Sequence, residues 1–422
     1  MKCRIEKSKV SGHIVCPPNK SYTHRAIFLA SLAGKNSRIN NVLFSDDTKA
    51  TIEACKKFGA EIEQEETSIT VRKSIKTDAM VPEINAENSG TTIRIASGIA
   101  SLFLNEITLT GDTSLQKRPM QPLLDALESV GAKCSSTDGK PPIKITGKIS
   151  GGNITIPGNF SSQFISALLI CAPLTEKGIS LTIEGNLVSK PYLDATIATM
   201  RSFGVSVQTL IPYKRYNITP QVYNPTTFDV PIDFSSMALL LAAAVLNGDN
   251  LSIKGNIGNL PQGDEVFIDI LEQLGVKVSI NESEIGIESP EKLKGGRFDL
   301  SNSPDLLPPL SILALKTSKP IEVINVKHAR LKETDRIAIL SRELSKIGIK
   351  IQEKEDGLIL EPTDNLNPAE LNSEKDHRLF MAFCIAGMFV GDCVVTDPES
   401  VSVSYPNFID EMNKCGAKIQ TL

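Results

Sequence analysis

Four cations stand inside runs that are otherwise almost wholly apolar. Lys20 and Arg25 lie in NKSYTHRAIFLASLAG, Arg94 in NSGTTIRIASGIAS and Arg378 in KDHRLFMAFCIAGM. A cation in such a run costs burial energy unless an anion meets it. The same kind of run opens on hydroxyl, amide and glycine residues: Ser21; Asn88, Gly90 and Thr91; Ser161, Ser162 and Gln163; Ser235. Helix starts present backbone N–H groups and the positive end of the helix dipole, which favour anions too. Short loops add Lys117 and Arg118, Ser189, Lys190 and Tyr192, then Lys332 and Arg336. Taken singly, a Ser or Asp at a helix start is usually an N-cap, and a loop cation is usually solvated. Asp46, Asp47, Asp233 and Asp264 are read as caps or hydrogen-bond supports. Asp305 and Glu333 are different, because they are acids set within the basic group, where neighbouring charges tune proton affinity for acid–base work.

Other chemistries lack their residues. No Walker A sequence, G-x-G-x-x-G fingerprint or H-E-x-x-H occurs. The cysteines at 3, 16, 55, 134, 171, 384, 393 and 415 form no C-x-x-C pair, so they read as reduced core thiols of a cytoplasmic protein. The histidines, His13, His24, His328 and His377, are not at metal-ligand spacing. A basic site with no metal and no cofactor suggests small phosphorylated or carboxylated substrates.

The elements that must hold these residues repeat along the chain. Six amphipathic stretches end in an apolar residue, a glycine and a short alternating strand, as in TIEACKKFGAEIEQ and FIDILEQLGVKVSI. Their glycines, Gly59, Gly131, Gly204, Gly275, Gly348 and Gly416, are spaced by 72, 73, 71, 73 and 68 residues. A second landmark, the start of the apolar helices at Ser21, Ser89, Ser161, Ser235, Asp305 and Arg378, is spaced by 68, 72, 74, 70 and 73. The pattern predicts six α/β modules: buried helix, strand, loop, amphipathic helix, glycine, strand, turn, strand. Three modules per domain give two domains of similar size, cut near the polar stretch 217–227.

Composition agrees with an ordinary globular protein. The chain has 422 residues, 41% hydrophobic and 22% charged, with a net charge of −4. These values argue against disorder and against a dedicated nucleic-acid or membrane-surface binder. Its longest apolar runs, 237–246 and 379–390, are shorter than the roughly 18 residues of a membrane span. MKCRIEKSKV is charged from its second residue, so no signal peptide is expected.

PPNKSYTHR, NSGTTIR, KRPMQPLLDAL, GNFSSQFISALL, LVSKPY, LKETDR and KDHR, in that order over the whole chain, resemble the 5-enolpyruvylshikimate-3-phosphate synthase family. The resemblance implies an α/β fold of two similar domains, each of three βαβαββ repeats in pseudo-threefold arrangement, the enolpyruvyl transferase-like inside-out α/β barrel. It implies an active site between them and a first segment, 1–17, that joins 229–422, leaving 18–228 as the other domain. The activity implied is transfer of the enolpyruvyl group of phosphoenolpyruvate to shikimate 3-phosphate, in a cytoplasmic monomer without cofactor, nucleic-acid or membrane partner. By the same resemblance Lys20, Ser21, Arg25, Ser161, Ser162, Gln163, Ser189, Tyr192, Asp305 and Lys332 bind shikimate 3-phosphate. Lys20, Gly90, Arg118, Gln163, Arg336 and Arg378 bind phosphoenolpyruvate, and Asp305, Glu333 and Lys20 are catalytic. His328 replaces an asparagine, and Val403 a phosphate-facing lysine, of many members. Two other readings stay open: transfer to UDP-N-acetylglucosamine, and a non-catalytic anion- or RNA-binding module.

Overall fold

In the computed structural model, which describes residues 1–34, 36–81, 83–281 and 283–422, the chain divides into two units. One comprises Pro18–Pro231 with Leu260–Gln262, and the other Met1–Pro17, Ile232–Asn259 and Gly263–Leu422. Each unit has its own apolar core.

The described residues form six four-stranded sheets of one design. One strand pairs parallel with a second, and in five of the sheets the remaining two add an antiparallel hairpin beside it, whereas in the sixth Lys2–Ile5 and Ile419–Thr421 take those places. Gly152–Pro157, Ile179–Glu184, Gln208–Ile211 and Arg215–Ile218 show it plainly: Gly152–Pro157 runs parallel to Ile179–Glu184, and Arg215–Ile218 lies antiparallel between Ile179–Glu184 and Gln208–Ile211. A parallel pair needs a crossover; the buried helix supplies it in four of the repeats, while in the first and fourth the paired strands lie far apart in the chain.

In the first unit the helices are α1 (Lys20–Leu32), α2 (Asp46–Lys57), α3 (Gly90–Ala100), α4 (Gln121–Glu128), α5 (Ser162–Cys171) and α6 (Lys190–Ser202). The second carries α7 (Phe234–Asn247), α8 (Val266–Gln273), α9 (Leu307–Ile312), α10 (Arg336–Lys346), α11 (His377–Val390) and α12 (Phe408–Lys414). The odd-numbered helices are the apolar ones and lie inside; every residue of α7 is buried. They pack on one another, α1 and α5 against α3, and α7, α9 and α11 mutually. The even-numbered helices cover the outside with one polar face. All six repeat glycines have positive φ, between 81° and 112°, as the left-handed residue that ends a helix requires.

Three features depart from a simple tandem repeat. The stretch 305–316 is not one helix: a 3₁₀ turn Pro304–Leu306 and a 3₁₀ stretch Leu313–Lys316 flank a six-residue α9. Pro308 and Pro309 have no N–H to donate, so a long regular ladder cannot form there. The unit boundary falls after Pro231 rather than after residue 228, because Thr227–Asp229 pairs parallel with Ser37–Asn40 as the missing first strand of the first repeat. The amino-terminal segment does the same for the other unit. Val10–Val15 pairs with Gly248–Lys254 as the first strand of the fourth repeat, and Lys2–Ile5 lies between Cys393–Thr396 and Ile419–Thr421, completing the sixth.

Candidate active site

In the unit built on α1–α6, the candidate residues gather at helix starts. Asn19 caps α1, its Oδ1 accepting from Tyr22 N at 2.8 Å, and Lys20, Ser21 and Arg25 follow in the first two turns. Lys20 Nζ donates to Asp47 Oδ2 at 3.0 Å. Arg25 is 1% exposed, yet among the described residues its guanidinium bonds only neutral oxygens: Thr196 Oγ1 at 2.8 Å, Ser21 O at 2.9 Å and Tyr192 O at 3.0 Å. Burial without a counter-charge pulls Arg25 down to about 10.

Arg118 also meets a neutral side-chain oxygen. Its Nη2 donates to Asn88 Oδ1 at 2.9 Å, and its Nε has no hydrogen-bond partner among the described residues. Asn88 is itself held by Asp112 Oδ2 at 2.7 Å. Gly90 opens α3, where a Cβ would stand 2.9 Å from Arg118 Nη1 and 3.3 Å from Arg94 Nη1. What limits the space at Gly90 is thus the ends of two arginine side chains and not backbone conformation, since its φ is not positive. Arg94 lies over the Phe164 ring, 5.3 Å from its centroid, and donates to Gln163 Oε1. The Gln163 Nε2 donates in turn to Thr91 Oγ1 at 2.8 Å. Ser161 caps α5, accepting from Gln163 N at 3.2 Å, and Ser162 is buried behind it. Ser189 precedes α6 with a left-handed backbone, φ 54°, and Tyr192 lies in that helix's first turn.

In the other unit a single arginine organises the acids. Arg336, 1% exposed, donates to Asp376 Oδ2 and Asp305 Oδ1, both at 2.7 Å, and to Glu333 Oε2 at 2.8 Å. Lys332 Nζ lies 3.5 Å from Asp305 Oδ1, and Arg378 Nη2 lies 3.3 Å from Asp305 Oδ2. Burial alone would raise the Asp305 carboxyl, but Arg378, Lys332 and Arg336 outweigh it and hold it well below the usual carboxylate range. Burial opposes the Arg336 charge as well, and Asp376, Glu333 and Asp305 reverse that, raising it. Behind this group Asp264 accepts from Ser235 Oγ, while its Oδ1 has no hydrogen-bond partner among the described residues. Burial, with Asp305 repulsion second, pushes Asp264 up to about 7. Burial and the Lys332 charge bring His328 down to about 4, so the imidazole is neutral near pH 7. Val403 ends a 3₁₀ turn, half-buried, and donates nothing.

The sequence-derived residues thus form two clusters. Lys20, Ser21, Arg25, Gly90, Arg118, Ser161, Ser162, Gln163, Ser189 and Tyr192 belong to one unit; Asp305, Lys332, Glu333, Arg336 and Arg378 belong to the other. Sequence reasoning missed the partners that hold the cations: Thr196 for Arg25, Asn88 for Arg118, and Asp376 for Arg336. Asp376 had a visible signal, since it stands beside Arg378 in KDHR. The eight cysteines form no disulfide, and burial pushes Cys55, Cys134 and Cys171 up to about 12, which disfavours their thiolates. Among the described residues no three His, Cys, Asp or Glu side chains could hold a metal ion, and no helix is long and apolar enough to cross a membrane.

Residues 5–412 match the family model of EPSP synthase (3-phosphoshikimate 1-carboxyvinyltransferase). A 3-phosphoshikimate 1-carboxyvinyltransferase of Nitrosopumilus maritimus is 80% identical over 420 residues, covering 100% of both chains. The enzyme of the same name from Methanosphaera stadtmanae is 39% identical over 425 residues, 98% of this chain and 99% of its own. Among solved structures, EPSP synthase from Acinetobacter baumannii superposes with a TM-score of 0.83 at 26% identity over 99% of each chain. The enolpyruvyl transferase NikO from Streptomyces tendae, 18% identical with a TM-score of 0.78 over 99% of this chain and 98% of its own, shares the fold. The chain belongs to the EPSP synthase (3-phosphoshikimate 1-carboxyvinyltransferase) family.

Proposed function

We propose that this protein transfers the enolpyruvyl group of phosphoenolpyruvate to the 5-hydroxyl of shikimate 3-phosphate and releases inorganic phosphate, the EC 2.5.1.19 reaction of the shikimate pathway. The observation that carries the reading is a pair of buried arginines, Arg25 and Arg118, whose hydrogen bonds go only to neutral oxygens. Groups of that kind are stable when an anion completes them. Two phosphate monoesters at about −1.5 to −2 each, with two carboxylates, bring roughly −5 to −6. Lys20, Arg25, Arg118, Lys332, Arg336 and Arg378 carry six positive charges, which Asp47, Asp305, Glu333 and Asp376 offset in part, while Arg25 and Arg118 bond only neutral oxygens among the described residues.

Lys20, Ser21, Arg25, Ser161, Ser162, Gln163, Ser189, Tyr192, Asp305 and Lys332 would hold shikimate 3-phosphate. Lys20, Gly90, Arg118, Gln163, Arg336 and Arg378 would hold phosphoenolpyruvate. Asp305 takes the proton of the 5-hydroxyl as its oxygen bonds to the central carbon of phosphoenolpyruvate. The methylene carbon receives a proton from Glu333, with Lys20 alongside, giving a tetrahedral ketal. Glu333 then takes back a proton from the methyl group as phosphate departs with the proton held by Asp305, which restores the double bond and both acids. In the resting protein Asp305 is too acidic to be a good base. Substrate anions that engage Arg378 and Lys332 would loosen their hold on it and raise its proton affinity, so binding itself would activate the base. Each chain carries both clusters, so a monomer suffices, and a cytoplasmic location fits the thiols.

Phosphate release from phosphoenolpyruvate tests the reading. It should require shikimate 3-phosphate and should not occur with UDP-N-acetylglucosamine; release with the second acceptor alone would overturn the assignment.

A further inference from the structure

α1, α2 and α3 are joined by a line of buried polar atoms that the substrate assignments leave unused. His24 Nδ1 lies 2.6 Å from Thr51 Oγ1, Thr51 Oγ1 lies 2.7 Å from Thr92 Oγ1, and Thr92 Oγ1 lies 2.7 Å from Ser89 Oγ. All four residues are 0% exposed. Polar groups sealed in a helix core are costly unless every link is made, and a fully made chain fixes one arrangement of its helices.

The direction of the chain can be deduced. Burial, with the Lys20 and Arg25 charges, holds His24 well below its ordinary range, so the ring is neutral and carries one hydrogen. His24 Nε2 has no hydrogen-bond partner among the described residues, so that hydrogen belongs on Nδ1, where Thr51 accepts it. Each hydroxyl then passes its own hydrogen onward, Thr51 to Thr92 and Thr92 to Ser89. The line ends on the residue that caps α3, whose Oγ also accepts from Thr92 N at 3.2 Å, next to Gly90.

We propose that the His24–Thr51–Thr92–Ser89 line is a positioning relay that holds the first turn of α3, and so sets affinity for phosphoenolpyruvate. The proposal rests on the function proposed above, which places phosphoenolpyruvate against Gly90 and Arg118. α1 has anchors of its own, the three bonds of Arg25 and the bond from Tyr22 Oη to Pro261 O at 2.7 Å. The cap of α3 leans on Thr92, and through it on Thr51 and His24. Breaking the line at Thr51 therefore loosens the phosphoenolpyruvate end and spares the shikimate 3-phosphate end.

Thr51→Val removes the central hydroxyl and keeps the branched shape. With the full-length protein it should raise KM for phosphoenolpyruvate about tenfold, equivalent to roughly 1.4 kcal/mol, and leave KM for shikimate 3-phosphate within about threefold. Thr51→Ser should restore the wild-type value. His24→Leu cuts the line at its far end and should give the same selective loss, which covers the case in which Thr51→Val does not fold. An unchanged KM for phosphoenolpyruvate in either folded variant, an equal rise in both constants, or no rescue by serine would overturn the relay. If wild-type protein releases no phosphate with shikimate 3-phosphate, the proposed function falls instead, so the two failures are distinct.

Discussion

At the scale of single residues, the site is a contest between burial and charge, and Asp305 and Asp264 come out on opposite sides of it. Asp305 meets three cations and stays ionised; Asp264 has one hydroxyl donor and a repelling neighbour. Asp305→Asn and Glu333→Gln keep shape and remove proton transfer, so each should lower kcat by about 10²–10⁴-fold in steady-state assays, with shikimate 3-phosphate binding nearly unchanged. Asp264 yields a stability prediction. Its carboxyl titrates at about 7 when folded, against an ordinary value of 3.8, so between those values the folded state binds the extra proton. Stability from this group therefore falls as pH rises from about 4 to about 7 and is level above that. Asp264→Asn stays neutral, so its melting temperature should gain on the wild type between about pH 4 and pH 8; a constant difference would mean that Asp264 is ionised throughout. The cations themselves were legible in sequence, because Lys20, Arg25, Arg94 and Arg378 break apolar runs. The groups that hold Arg25 and Arg118 were not, since Thr196 and Asn88 are ordinary helix or helix-start residues until the fold brings them to a guanidinium.

At the scale of elements, helix starts do the positioning, and Gly90 is the tightest of them. Gly90→Ala places a methyl against the ends of Arg118 and Arg94, which can move, in a helix that favours alanine over glycine. The variant should keep or slightly raise its melting temperature while KM for phosphoenolpyruvate rises about three- to thirtyfold; a lower melting temperature with an unchanged KM would make Gly90 a packing residue only. The outer helices were readable from one apolar face and a terminal glycine, because both follow from local physics. α9 was not, for its apolar periodicity is genuine while Pro308 and Pro309 withhold the hydrogen bonds that a full helix needs.

At the scale of the whole molecule, six modules were legible because two landmarks recur in phase. Where the chain closes each unit was less so: a three-residue strand such as Thr227–Asp229 carries too little pattern to be seen, although it completes a sheet 189 positions earlier in the chain. Residues 1–17 are the larger case. Cys3, Ile5, Val10, Ile14 and Cys16 are all buried, and at about 1.5–3 kcal/mol for a fully buried aliphatic side chain their loss amounts to on the order of 10 kcal/mol. That is comparable with the whole stability of a typical domain. A chain lacking residues 1–17 should leave the α7–α12 unit unfolded and the α1–α6 unit intact, as proteolysis with fragment mapping would show; protection of both units would contradict it. The same arrangement dictates an order of assembly on the ribosome. Lys2–Ile5 is made well before the strands its backbone pairs with, Cys393–Thr396 and Ile419–Thr421, so at about 5–20 residues per second it waits roughly 20–80 s for them. Meanwhile Pro18–Pro231 can close on itself. An early strand is thus among the last to find its place, and through that interval an unpaired, partly apolar edge is exposed to whatever else in the cell binds β-strands.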